Sequence, residues 1–104
     1  VAIDSAGAIL FCGTVNGAVS FGGGGFTSDG SSDDVAVVKL KADGGHISSA
    51  LYGDATPQSC AAIARNSKDQ IIAAGAMNGT LDLKAGPPLV SQGSSDAWIA
   101  KLAQ

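Results

Sequence analysis

The sequence predicts an all-β protein built from two copies of one antiparallel unit. Three observations predict it. Residues recur at a fixed offset of 62: Ala2 with Ala64, Ile9 with Ile71, Gly13 with Gly75, Asn16-Gly17 with Asn78-Gly79, Ser32 with Ser94, Asp34 with Asp96, and Lys39-Leu40 with Lys101-Leu102. No gap is needed to hold that register, and a fixed period is the mark of repeat architectures. The apolar runs are short, in the strand rather than the helix range, and they are rich in Val, Ile and Leu. The 15 glycines fall mostly between those runs, where turns belong.

In the first repeat, Val1-Ala2-Ile3-Asp4 is a short first strand and Ser5-Ala6-Gly7-Ala8 a turn. Ile9 to Gly13 is the second strand. Asn16-Gly17 is a tight-turn signal, because both residues tolerate positive φ. Val19-Ser20-Phe21 extends or bulges that strand, and positions 22–33 form a long Gly/Ser/Asp loop. Val35 to Leu40 is the third strand, Asp43-Gly44-Gly45 a turn, and His46 to Tyr52 the fourth strand. Positions 53–58 lead onward, with Pro57 excluding a central strand there. The second repeat starts near Cys60. Its strands are Ala61 to Ala64, Gln70 to Met77 and Ala97 to Leu102, with Leu81-Asp82-Leu83 as the short extension and Pro87-Pro88 stiffening the loop. A fourth strand is missing, which leaves an open edge that a neighbouring chain could pair. The domain division is therefore 1–59 and 60–104.

Strands two and three are apolar on both faces. A sheet wetted on one side would alternate apolar with polar. Four short antiparallel strands, repeated and covered on both faces, follow the logic of stacked β-propeller blades; a sandwich is the alternative. Two blades do not close a propeller. Identical chains meeting head to tail close a ring, and three chains would give six blades, two chains four.

The runs Val1 to Gly7, Gly17 to Gly24 and Ser32 to Leu40, with Asp96-Ala97-Trp98-Ile99-Ala100-Lys101-Leu102 and Tyr52-Gly53-Asp54, resemble the bacterial β-propeller repeats known as SBBP repeats. Their pattern runs V-A-V-D-x-x-G-N, then F-G-G-G, then S-D-A-F-V-A-K-L-D. Arg65-Asn66 and Lys84-Ala85 depart from it. The resemblance implies bacterial, extracytoplasmic or cell-surface proteins, often large and multi-repeat, and no particular chemistry.

Composition narrows the function classes. The formal charge is −3 and the six Lys and Arg are scattered, whereas a nucleic-acid footprint needs clustered positive charge. No apolar run reaches the length of a membrane-spanning helix, so membrane insertion is not expected. The chain opens on Val1 in a strand-like run, without Met or a signal peptide, as though cut from something longer. Cys12 and Cys60 each sit in or beside an apolar run and read as buried free thiols, with a disulfide between them as the alternative.

Candidate sites follow from blade geometry, in which the loops after strands two and four share a face. That face would gather Asp54, Thr56, Gln58, Asp82 and Lys84 as ligand-binding residues, with Ser20 nearby. Asp29 and Asp33 offer oxygen ligands at short spacing, and Asp4 would sit near the channel, so these three are the metal candidates, with calcium the fitting ion. The competing reading makes each a turn-capping carboxylate. No cofactor is required by any motif. His46, the single histidine, has no evident nucleophile or orienting partner. Gly22 to Gly25 lacks the Lys-Ser/Thr and helix of a phosphate loop. The expected function is a propeller-type binding or scaffolding module with no catalytic constellation, taking a protein or glycan ligand. The alternative is a hydrolase whose metal or carboxylate site assembles at the oligomer axis or loop face.

Overall fold

The computed structural model describes residues 1–27, 32–54, 56–84 and 86–102. Among them the chain forms strands and no helix: β1 (Ala2–Ile3), β2 (Ile9–Val15), β3 (Ala18–Ser20), β4 (Gly25–Thr27), β5 (Asp34–Leu40), β6 (His46–Tyr52), β7 (Gln58–Arg65), β8 (Ile71–Met77), β9 (Thr80–Leu81), β10 (Leu89–Val90) and β11 (Asp96–Leu102). All pairings are antiparallel. One sheet runs β1-β2-β5-β6 and a second β7-β8-β11; β3-β4 and β9-β10 are two-stranded ribbons.

The 62-residue offset is a structural repeat. Ile9 opposes Leu40 and Ile71 opposes Leu102, so β2-β5 and β8-β11 share one register. The turns repeat in atomic detail. Asp4 Oδ1 accepts from the N–H groups of Ala6 and Ala8, both at 2.9 Å. Its counterpart Asn66 accepts from Lys68 at 2.9 Å and Gln70 at 3.0 Å. Positive φ recurs at Gly7 and Asp69, Gly17 and Gly79, Gly22 and Lys84, and Gly24 and Gly86. The loop expected at 22–33 contains a strand, β4, because Val19 and its neighbours pair with it. β10 plays the same part after Pro87-Pro88.

β7 is eight residues long against two for β1, starts at Gln58, and bulges between Cys60 and Ala62. The bulge presses backbone against β8: a Cβ on Gly75 would stand 2.0 Å from the Ser59 carbonyl, so only glycine fits. Trp98 lies opposite Gly75 and donates its indole N–H to the carbonyls of Ser59 (3.0 Å) and Ala76 (3.2 Å). A buried indole N–H is thereby satisfied.

The core lies between the two sheets. Leu10, Val35 and Val37 of the first meet Cys60, Ile63, Ile71, Ala73, Trp98 and Leu102 of the second, with Leu81 and Leu83 from the β9 segment. Cys12 and Cys60 form a disulfide here, with Cα atoms 5.8 Å apart. The free-thiol expectation is corrected. Position 12 on β2 and the bulge on β7 bring the two backbones within disulfide reach, which residue spacing alone does not reveal.

The expectation of apolar cover on both faces holds for β5, where Val35, Ala36, Val37 and Val38 are all buried. It does not hold for β11, where Trp98 is buried and Ile99 is 72% exposed. The first sheet's outer face is covered by its own loop: Phe21 packs edge-on to Phe11, ring centroids 5.7 Å apart. In the second sheet the equivalent loop lies on the inner face, as the burial of Leu81 and Leu83 shows, and nothing covers the outer one among the described residues.

Candidate binding face

Both ends of the seam between the sheets are held by polar groups. At one end, the segment after β6 turns into β7 around Asp54. The Asp54 carboxylate accepts from the Thr56 N–H (2.8 Å), the Gln58 side-chain amide (2.7 Å) and the Thr80 N–H (3.0 Å), and lies 2.5 Å from the Thr56 hydroxyl. Gln58, 2% exposed, also donates to the Asn78 carbonyl at 2.7 Å. Its own oxygen accepts from the Asp54 N–H at 3.2 Å. Gly79 makes room for this: its φ is +68°, and a Cβ there would strike the Thr56 hydroxyl. Desolvation opposes ionisation of Asp54, but the hydrogen bonds from Thr56, Gln58 and Thr80 outweigh it and hold its pKa far below the ordinary carboxylate value.

At the opposite end, the Ser5 hydroxyl and N–H both donate to the Asp69 carboxylate. Arg65 pairs with Asp69 at 3.2 Å and donates to the Ile3 carbonyl at 2.6 Å. The hydrogen bonds from Ser5 lower the Asp69 pKa, with Arg65 adding to them. Sequence reasoning missed this tie. Its only signal was that Arg65 departs from the repeat pattern.

Of the residues expected on one ligand face, Asp54, Thr56 and Gln58 come together, and their polar atoms are spent on one another and on the β8-β9 turn. Asp82 and Lys84 form a separate exposed ion pair at 3.0 Å. The Lys84 N–H, followed by its ammonium, lowers the Asp82 pKa. Asp4 is buried and its second oxygen pairs with Lys39 at 3.3 Å. The Ala8 N–H chiefly lowers its pKa, against desolvation, with help from Lys39. Asp33 accepts from the Asn16 side-chain amide at 2.9 Å. Asp29 lies outside the described residues. Among the described residues no three His, Cys, Asp or Glu side chains converge as a metal set. His46 has a neighbour the sequence did not suggest: its Nε2 is 2.9 Å from the Ser49 hydroxyl.

Beside the Asp54 cluster a cavity of about 240 Å³ opens between the repeats, lined by Asp33, Gln58, Ser59, Met77, Asn78 and Ser95. Asn78 Oδ1, buried in its wall, has no hydrogen-bond partner among the described residues. The polar lining suits a neutral or hydroxyl-bearing group. Among the described residues no helix is long and apolar enough to cross a membrane. No family model matches the sequence, and no curated protein matches it.

Proposed function

We propose that the chain is a β-propeller-type binding and scaffolding module in which each sheet is a blade and copies associate head to tail, three copies giving six blades. The observation that carries this is which faces meet. Leu10 and Val37 of the first repeat face the second sheet. Their counterparts 62 residues on, Ile72 and Ile99, face away from the first, and Ile99 is largely exposed. The two repeats therefore join through unlike faces, and one face of each kind is left over. Such heterologous contacts propagate from copy to copy and form a ring where the rotation between copies closes. A protein or glycan ligand would meet the mouth formed by Asp33, Asn78 and Ser95. Calcium at Asp4 or Asp33 is not needed in this reading, since both carboxylates already have donors.

The Cys12–Cys60 bond supports an oxidising, extracytoplasmic setting, where disulfides persist. Native mass spectrometry of the oxidised chain tests the assembly. A trimer is expected, dispersed by Ile99→Asp on the exposed face; a monomer at every concentration would refute head-to-tail closure.

A further inference from the structure

Resting on the binding-module reading, we infer that the cavity at Asp33, Asn78 and Ser95 is a subsite for one neutral sugar ring. The ring is held through two hydroxyl groups on adjacent carbons.

The repeat shows what differs at this place. In the first repeat the Asn16 side-chain amide donates to Asp33 at 2.9 Å. In the second, Asn78 stands where Asn16 does, but Ser95 stands where Asp33 does. The strands around them keep one register, with Val15 opposite Asp34 and Met77 opposite Asp96. The carboxylate that engages Asn16 therefore has no counterpart for Asn78. Asn78 Oδ1 is buried and has no hydrogen-bond partner among the described residues, and such an orphan in a native fold calls for a partner. The Asn78 backbone is fixed: its N–H donates to the Pro57 carbonyl at 2.9 Å, and its carbonyl accepts from the Gln58 side chain at 2.7 Å. Its carboxamide torsion is soft, so the oxygen can turn to the cavity without moving the chain.

The lining specifies the occupant. The volume of about 240 Å³ lies below the roughly 300 Å³ at which drug-sized sites begin, and so suits one small ring. Among the described residues that line it, Asp33 alone is charged, which disfavours an anionic sugar. One Asp33 oxygen takes the Asn16 amide, and the other accepts from a ligand hydroxyl. The Asn78 carboxamide both donates and accepts, as do the hydroxyls of Ser59 and Ser95. An ammonium group only donates and would leave the Asn78 amide N–H groups unmatched. Neighbouring hydroxyls do both: one donates to Asp33 while the other exchanges hydrogen bonds with Asn78. Pro57 and Ala76 give the C–H face of the ring an apolar wall. Gln58 behind them is 2% exposed and tied to Asp54 and Asn78, so the site is preorganised.

The test follows amide NMR shifts of the oxidised 104-residue chain titrated with the methyl glycosides of glucose, galactose, mannose and N-acetylglucosamine. One ring makes few contacts, so millimolar affinity is expected. At least one glycoside should give saturable shifts at the Asn78 side-chain amide and at Ser59 and Ser95, with none at Ser5 and Asp69. Ser95→Asp restores the pair of the first repeat at an exposed position, and should weaken binding about ten-fold. Removing one of the two neighbouring hydroxyls from the sugar should do the same. No shift with any glycoside, shifts elsewhere, or unchanged binding in Ser95→Asp would overturn the proposal. Equal shifts with methylammonium or with N-acetylserine methylamide would overturn it too, assigning the cavity to a cation or a peptide. Trimers in native mass spectra without sugar shifts would remove the sugar site and keep the ring. Sugar shifts in a chain that stays monomeric would remove the ring and keep the sugar site.

Discussion

At the scale of single residues, the polar groups of this protein are mostly spent on its own turns. Asp54 shows the energetic consequence. Its folded pKa lies below the unfolded value of 3.8, so its stabilisation is fully present above that value and is lost as pH falls towards the folded one. Urea unfolding midpoints should therefore drop as pH falls below about 4 and go on dropping towards about pH 2, and Asp54→Asn should flatten that drop while lowering the midpoint at pH 7. Gln58→Ala should cost about 1–3 kcal/mol, since it leaves buried partners unsatisfied. Asp4 and Asn66 carry a further lesson. A neutral amide does at position 66 what a carboxylate does at position 4, so the cap needs an oxygen acceptor rather than a charge.

At the scale of elements, β7 is the piece that joins the sheets. It brings Cys60 to Cys12, offers the Ser59 carbonyl to Trp98, and carries Gln58 and Arg65 to the two ends of the seam. The disulfide closes a loop with a sequence separation of 48. Chain entropy alone assigns such a loop about 4 kcal/mol. Reduction, or Cys12→Ser, should lower the stability measured by urea unfolding by up to about that amount. Trp98→Ala should cost about 3–5 kcal/mol through the space left in the core. It also frees the Ser59 carbonyl, so hydrogen exchange across the β7 bulge should accelerate more than in β2.

At the scale of the whole molecule, two sheets enclose one core and leave unlike surfaces outside. The first sheet's outer face is covered by its own Phe21 loop, whereas the second presents Ile99 to solvent. Ile99→Asp should leave the unfolding midpoint of the dilute chain nearly unchanged, because Ile99 is already exposed, and change only how copies associate in native mass spectra. A fall in the dilute midpoint equal to that of a core substitution would show that Ile99 has cover within a single chain.

The sequence by itself determined the strands, the turns and the repeat, because each is local. Short apolar runs, Asn-Gly pairs and a fixed offset of 62 survive without knowledge of the third dimension. The small ribbons β3-β4 and β9-β10 were only half legible, since two- and three-residue strands gain their identity from a partner. Of the residues expected on the ligand face, Asp54, Thr56 and Gln58 come together, but the sequence did not show that they bind one another. Tertiary structure alone decided which face of each sheet turns inward. Strands apolar on both sides fit either way, and the choice is made by packing Leu81, Leu83 and Trp98 against Leu10 and Val37. The Cys12–Cys60 bond follows from that choice, because cysteines 48 positions apart bond only when folding sets their backbones side by side.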